Sequence, residues 1–149
     1  MKLALLWIHV VGVVVWLGGV MYQAHVLWPR ARRRDARVLA ETAVGARPIA
    51  WTALALTVLT GFYHVTRLGP LERVMQSGAA LLLAGKFTLV LIVVALAGQR
   101  DFALVPRLGR TLDAGGDPAP VLSAIAWLDR VTILLGIVVI YLGLAISRS

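Results

Sequence analysis

Cysteine is absent from the 149 residues, which at once removes disulfides, iron–sulfur clusters and thiolate metal sites. Methionine is scarce, with three in the chain, so no methionine-rich copper relay runs along it. Charge is scarce too: 15% of residues are charged, seven of them acidic and fifteen Lys or Arg, for a net charge of +8. What fills the chain is apolar, at 60% hydrophobic residues and a mean hydropathy of +0.86. That is more apolar surface than one soluble core buries, and lipid must take the rest. The basic residues are not interleaved with aromatics; the arginines gather in two segments between apolar blocks, a pattern that orients a membrane protein and does not suit nucleic acid. The apolar run after Met1-Lys2 is too long for a secretory signal and lacks a small-x-small cleavage site, so it reads as a retained first helix.

A helix needs roughly 20 apolar residues to cross a hydrocarbon core of about 30 Å. Four blocks qualify, near 3–28, 48–66, 79–98 and 121–146. The expectation is an all-α, four-helix transmembrane bundle in a single domain over 1–149, multi-pass in the inner (cytoplasmic) membrane. Arg30, Arg32, Arg33, Arg34, Arg37 and Arg47 occupy the first connection and Arg100, Arg107 and Arg110 the third, against Arg67 and Arg73 in the second. The positive-inside rule then makes the first and third connections cytoplasmic and gives an N-out/C-out topology, with Lys2 weighing slightly the other way. Trp28-Pro29 reads as an interfacial stop. The first connection, from Pro29 to Arg47, reads as a short amphipathic surface helix with Val38, Leu39 and Val44 toward lipid. Asp113 to Pro118 carries a turn signal. Asp129 and Arg130 read as a hydrated pair at the inner interface.

Ionisable side chains inside membrane helices are costly, so each is a site hypothesis. His9, His25, His64 and Lys86 qualify. At about 100° per residue, His9, Gly12, Trp16, Gly19 and Gln23 share one stripe of the first helix, which should face the bundle. Thr57, Thr60, Gly61 and His64 form a second polar stripe. Lys86 lies roughly as deep as His9, although a lysine there can also snorkel to the headgroups. The orientation brings His9, His64 and Lys86 into the same outer half. His25 lies opposite His9, near the inner interface. With Met21 at i and i+4 it offers a thioether and an imidazole, a weaker secondary pair suited to copper(I). Tyr22 stands above the other tyrosines as a site residue.

The segments Trp16-Leu17-Gly18-Gly19, Leu59-Thr60-Gly61-Phe62-Tyr63, Gly85-Lys86 and Asp101-Phe102-Ala103-Leu104-Val105-Pro106-Arg107-Leu108 resemble, in order and spacing, small members of the copper-resistance protein D (CopD) family. The first helix is also similar to the HemJ-type protoporphyrinogen oxidase family, whose His, Trp, Gly and Tyr pattern is matched by His9, Trp16, Gly19 and Tyr22, and whose third-helix lysine is matched by Lys86. The first resemblance implies copper handling. The second implies a haem b site formed by His9, Trp16, Gly19, Tyr22 and Lys86.

Three functions follow as expectations. One is a membrane protein that binds or passes copper through His9 and His64 on the outer side. Another is a haem b-binding redox protein, with His9 as axial ligand. The third is a cofactor-free accessory subunit. Whether the chain is an enzyme stays open. Its partners are the lipid bilayer and either a homo-oligomer or a larger membrane complex, with no nucleic acid.

Overall fold

In lipid, an apolar segment satisfies its backbone polar groups internally as a helix. The computed structural model describes residues 2–33, 35–66 and 79–148, and among these every regular element is helical. In chain order they are α1 (Lys2–Tyr22), a π-helical turn (Gln23–Leu27), α2 (Trp28–Arg33), α3 (Ala36–Thr66), α4 (Ala79–Gly98), a second π-helical turn (Gln99–Leu104), α5 (Val105–Asp113) and α6 (Ala119–Arg148). They combine into four continuous rods, Leu3–Arg33, Ala36–Thr66, Ala80–Asp113 and Ala119–Ala145, each long and apolar enough to cross a membrane. The expected all-α bundle is what the chain forms. Arg34, Arg67 and Arg73, used above to orient the chain, lie outside the described residues.

The rods are longer than the apolar blocks suggested. A rod of 31 residues, such as Leu3–Arg33, spans about 46 Å at 1.5 Å per residue, well beyond a hydrocarbon core of about 30 Å. The excess lies at the arginine-bearing end. The helix itself does not end at Trp28-Pro29 but runs through the π-helical turn to Arg33. Nor does the first connection hold a separate surface helix. Ala36 to Arg47 are the opening turns of α3, capped by Asp35, whose Oδ1 accepts the Arg37 N–H at 2.8 Å. Pro48 sits inside α3 and interrupts neither portion. Val38 and Val44 are exposed as expected, but Leu39 is fully buried. Leu39 does not share the face of Val38 and Val44: at about 100° per residue it points away from both, into a core with Ala31 of α2 and Val105 and Leu108 of α5.

Packing is pairwise. α1 lies mainly on α3 and α4 mainly on α6, with α1 also touching α6. Gly12 permits the first pairing, since a Cβ there would collide with Thr57 Oγ1 and stand 3.0 Å from the Ala53 carbonyl. Gly136 on α6 takes Leu17 of α1 in the same way, at 3.0 Å. Small residues at such crossings let helices approach where no hydrophobic force drives them together. Two cores result. Trp16, Leu17, Ala53, Leu54, Val93, Ala97 and Ile133 form one in the middle of the bundle. The other, around Leu39, Val105, Leu108 and Ile125, closes the arginine-bearing end.

The turn between α5 and α6 falls where the sequence placed it. Gly115 takes φ +66°, and the N–H groups of Gly115 and Gly116 return to the carbonyls of Leu112 (3.1 Å) and Thr111 (2.9 Å). Glycine adopts that left-handed conformation without steric cost and so ends the helix. Asp117 then caps α6, its Oδ1 accepting the Ala119 N–H at 3.0 Å.

Candidate functional site

Polar side chains gather at two levels of the bundle. At the end carrying both termini, His9 of α1 meets the last turns of α3. Its Nδ1 lies 2.9 Å from the Thr57 carbonyl and 3.0 Å from Thr60 Oγ1. A carbonyl only accepts, so Nδ1 carries the proton and Nε2 presents its lone pair. Thr60 Oγ1 donates onward to the Leu56 carbonyl at 2.5 Å, which leaves it free to accept from His9. The proximity depends on Gly61, where a Cβ would stand 3.1 Å from His9 Cε1.

His64 lies one helical turn beyond Thr60, and its ring centroid is 5.9 Å from that of His9, the two rings edge to face at 79°. Its Nε2 is buried and has no hydrogen-bond partner among the described residues. Lys86 of α4 reaches the same level. Its Nζ lies against Gly143 of α6, 3.3 Å from where a Cβ would stand. His9 and His64 are thus brought together from α1 and α3, while the contact of Lys86 is with α6.

The other singled-out residues lie elsewhere. Trp16 is buried in the middle core, two turns from His9. Gly19 borders a cavity farther along. Tyr22 is half-exposed, about 20 Å from His9 along α1 at 1.5 Å per residue. His25 and Met21 are both exposed, and His25 Nδ1 donates to the Met21 carbonyl at 3.0 Å. Among the described residues no group of three or more His, Cys, Asp or Glu side chains gathers to hold a metal.

The second level was not foreseen. Arg100, in the second π-helical turn, is buried at the centre of the bundle and donates to three helices' worth of acceptors. Its Nε reaches Asp129 Oδ1 at 2.5 Å, its Nη1 reaches Asp101 Oδ1 at 2.6 Å, and its Nη2 donates to Gln23 Oε1. Asp101 is completed by α3: Trp51 Nε1 donates to its Oδ2 at 2.9 Å, and Arg47 Nη2 to its carbonyl at 2.5 Å. All four rods are tied by this one network.

Asp129 is consequently not half of a hydrated pair with Arg130. It is fully buried, whereas Arg130 is exposed, with its guanidinium 5.7 Å from the Trp28 ring. Adjacent residues on a helix point about 100° apart, so Asp129 and Arg130 face different neighbours. One sequence signal could have found the network. Arg100 and Asp101 continue the helical register of an apolar rod, and Gln23 lies on the same inward stripe as His9.

The family model for Copper resistance protein D matches residues 42–146, well over half of the chain. His64, Lys86, Arg100 and Asp129 fall within that stretch, and His9 precedes it. No curated protein and no solved structure matches the chain. With four membrane-length helices and this match, the chain belongs to the copper resistance protein D (CopD) family of multi-pass membrane proteins.

Proposed function

We propose that the chain binds or passes copper at the end of the bundle that carries its termini, through the Nε2 atoms of His9 and His64. One observation carries this reading: two imidazoles on different helices stand 5.9 Å apart, that of His9 held through Nδ1 and that of His64 with a buried Nε2 that has no hydrogen-bond partner among the described residues. Metal–imidazole bonds of about 2 Å, plus about 1 Å from nitrogen to ring centre on each side, put the ring centroids about 6 Å apart around a shared ion. Two nitrogen donors without a third ligand suit copper(I), which accepts linear coordination, and fall short of the four ligands of a structural zinc site. The Nδ1–H bond from His9 to Thr57 fixes the ring and its tautomer, as ligand histidines generally require. Met21 and His25 would supply a second station for a passing ion. By the positive-inside rule the copper end faces outward and the arginine-bearing end faces the cytoplasm of an inner-membrane protein.

Lys86 favours a second reading, haem b binding at His9. An ammonium beside the site repels a cation but pairs with an anionic group such as a haem carboxylate. Against it, Trp16, Gly19 and Tyr22 do not converge on His9.

The test is to purify the full chain in detergent, record its visible spectrum, and assay copper and iron on the same sample after supplying both. The expected result is one copper(I) per chain, no Soret band, and loss of copper in both His9→Ala and His64→Ala. Stoichiometric iron with a Soret band that disappears in His9→Ala would replace this reading with the haem one. A chain that takes up neither would leave it an accessory subunit.

A further inference from the structure

In the network around Arg100 two buried groups have no hydrogen-bond partner among the described residues, one acceptor and one donor. Asp101 uses both carboxylate oxygens, one on Arg100 and one on Trp51. Asp129 uses one. Its Oδ1 accepts from Arg100, while Oδ2 is buried and has no partner among the described residues, on a side chain with no solvent exposure. A buried acceptor left without a donor is costly, and native structures satisfy it with water or a proton.

Space for both exists. A cavity of about 110 Å³ lies within the network, bordered by Asp129, Arg100, Asp101, Gln23, Arg47 and Thr132. At about 30 Å³ per molecule it has room for roughly three waters. Val15, Trp16, Val20 and Ile49 also line it, so the hydrogen-bond partners for water lie on the part of the wall that those polar residues form. Arg47, which also lines the cavity, carries in Nε a second buried group with no hydrogen-bond partner among the described residues. The residues around the cavity therefore include both an unmatched donor and an unmatched acceptor, which water can satisfy. Both flanking rods are π-helical at this level, a deviation that recurs at functional sites.

From these contacts we infer that the cavity is a hydrated pocket and that Asp129 Oδ2 is a proton-binding site exchanging with the arginine-bearing side. A water in the pocket delivers a proton to Oδ2, forming an O–H bond, and the reverse step returns it; nothing is oxidised or reduced. The charged groups packed against Asp129 are Arg100 and Asp101 from the second π-helical turn, and Arg47 from α3 lines the same cavity. The first π-helical turn contributes the neutral Gln23, and α6 itself the neutral Thr132. Two guanidiniums and two carboxylates balance when Asp129 is ionised. Protonation leaves one positive charge and weakens the hold of Arg100 on α6, so the proton is coupled to the packing of that helix.

The experiment is a pH-difference infrared measurement on the full chain in lipid nanodiscs. A carboxyl C=O stretch should appear on acidification, shift in heavy water because its proton exchanges, and vanish in Asp129→Asn, while Asp113→Asn, at an exposed site, leaves it intact. An Asp129→Asn spectrum that superimposes on the wild type would overturn the inference, as would a band insensitive to heavy water. Should Asp129→Asn fail to fold, Asp129→Glu keeps the carboxyl, and the band must then move in frequency; an unmoved band overturns the proposal equally.

Discussion

His9 and Asp129 are both ionisable groups inside an apolar bundle, and they differ in what their partners leave unused. The Nδ1–H bond of His9 is spent on the Thr57 carbonyl and Thr60 Oγ1, which frees Nε2 for a ligand. Arg100 engages one oxygen of Asp129 and leaves the other on a cavity wall. Thr60→Val tests the first relation. It removes a side-chain acceptor from Nδ1 while retaining the carbonyl, so the ring stays in place but is held less firmly. Copper(I) affinity should fall about 10-fold, within the range for losing a group that orients a metal ligand, as read by competition with a chromogenic copper(I) chelator. Unchanged affinity would mean that Thr57 alone fixes the ring. The candidacy of His9 was legible in its stripe position, whereas its tautomer was not, because that depends on an α3 carbonyl 48 residues away.

Individual residues acquire these partners only because two helices change pitch. The π-helical turns Gln23–Leu27 and Gln99–Leu104 each accommodate an extra residue in the coil. Without them, residues beyond would face about 100° away per residue of slip. Arg100 and Asp101 lie in the second turn, and the fully buried Leu108 and nearly buried Val105 follow it. Inserting one alanine after the exposed Ala103 adds a residue that the turn does not already accommodate, and should therefore swing Val105 and Leu108 out of their core and cause the chain to lose its monodisperse size-exclusion peak and its cooperative thermal unfolding in detergent. Deleting Ala103, which lets the turn close as ordinary α-helix with both flanks in place, should leave both properties intact. An insertion variant as stable as the wild type would mean that the register beyond the π-helical turn is not fixed by it. Such a turn leaves little trace in the amino-acid pattern. The sequence likewise assigned Leu39 to lipid together with Val38 and Val44, because an apolar residue facing a neighbouring helix and one facing lipid look alike until α5 is in place.

For the molecule as a whole, the distribution of charge and burial matters more than any contact. Only 11% of the apolar window of the first rod is buried within the bundle, against 33% for the fourth, so α1 gives most of its surface to lipid or to another chain. Arg30, Arg32, Arg33, Arg37, Arg47, Arg100, Arg107 and Arg110 lie toward the end opposite His9 and His64, and the orientation proposed from the positive-inside rule puts that end in the cytoplasm. Reporters fused at either terminus should accordingly be active only outside the cytoplasm, and a reporter after Asp113 only within it. Cytoplasmic termini would leave the shared depth of His9, His64 and Lys86 intact and reverse the compartment that supplies them. The sequence by itself determined the four rods, because lipid selects for uninterrupted apolar length, and it determined that His9 and His64 face inward, because helical period fixes the side on which a residue lies. The tertiary structure alone decided that the two imidazoles stand 5.9 Å apart and that Asp129 pairs with Arg100, not Arg130. Those outcomes depend on how neighbouring rods are rotated against one another, and that rotation is set by close glycine crossings and π-helical turns, whose effects become specific only once the partner helix is in place.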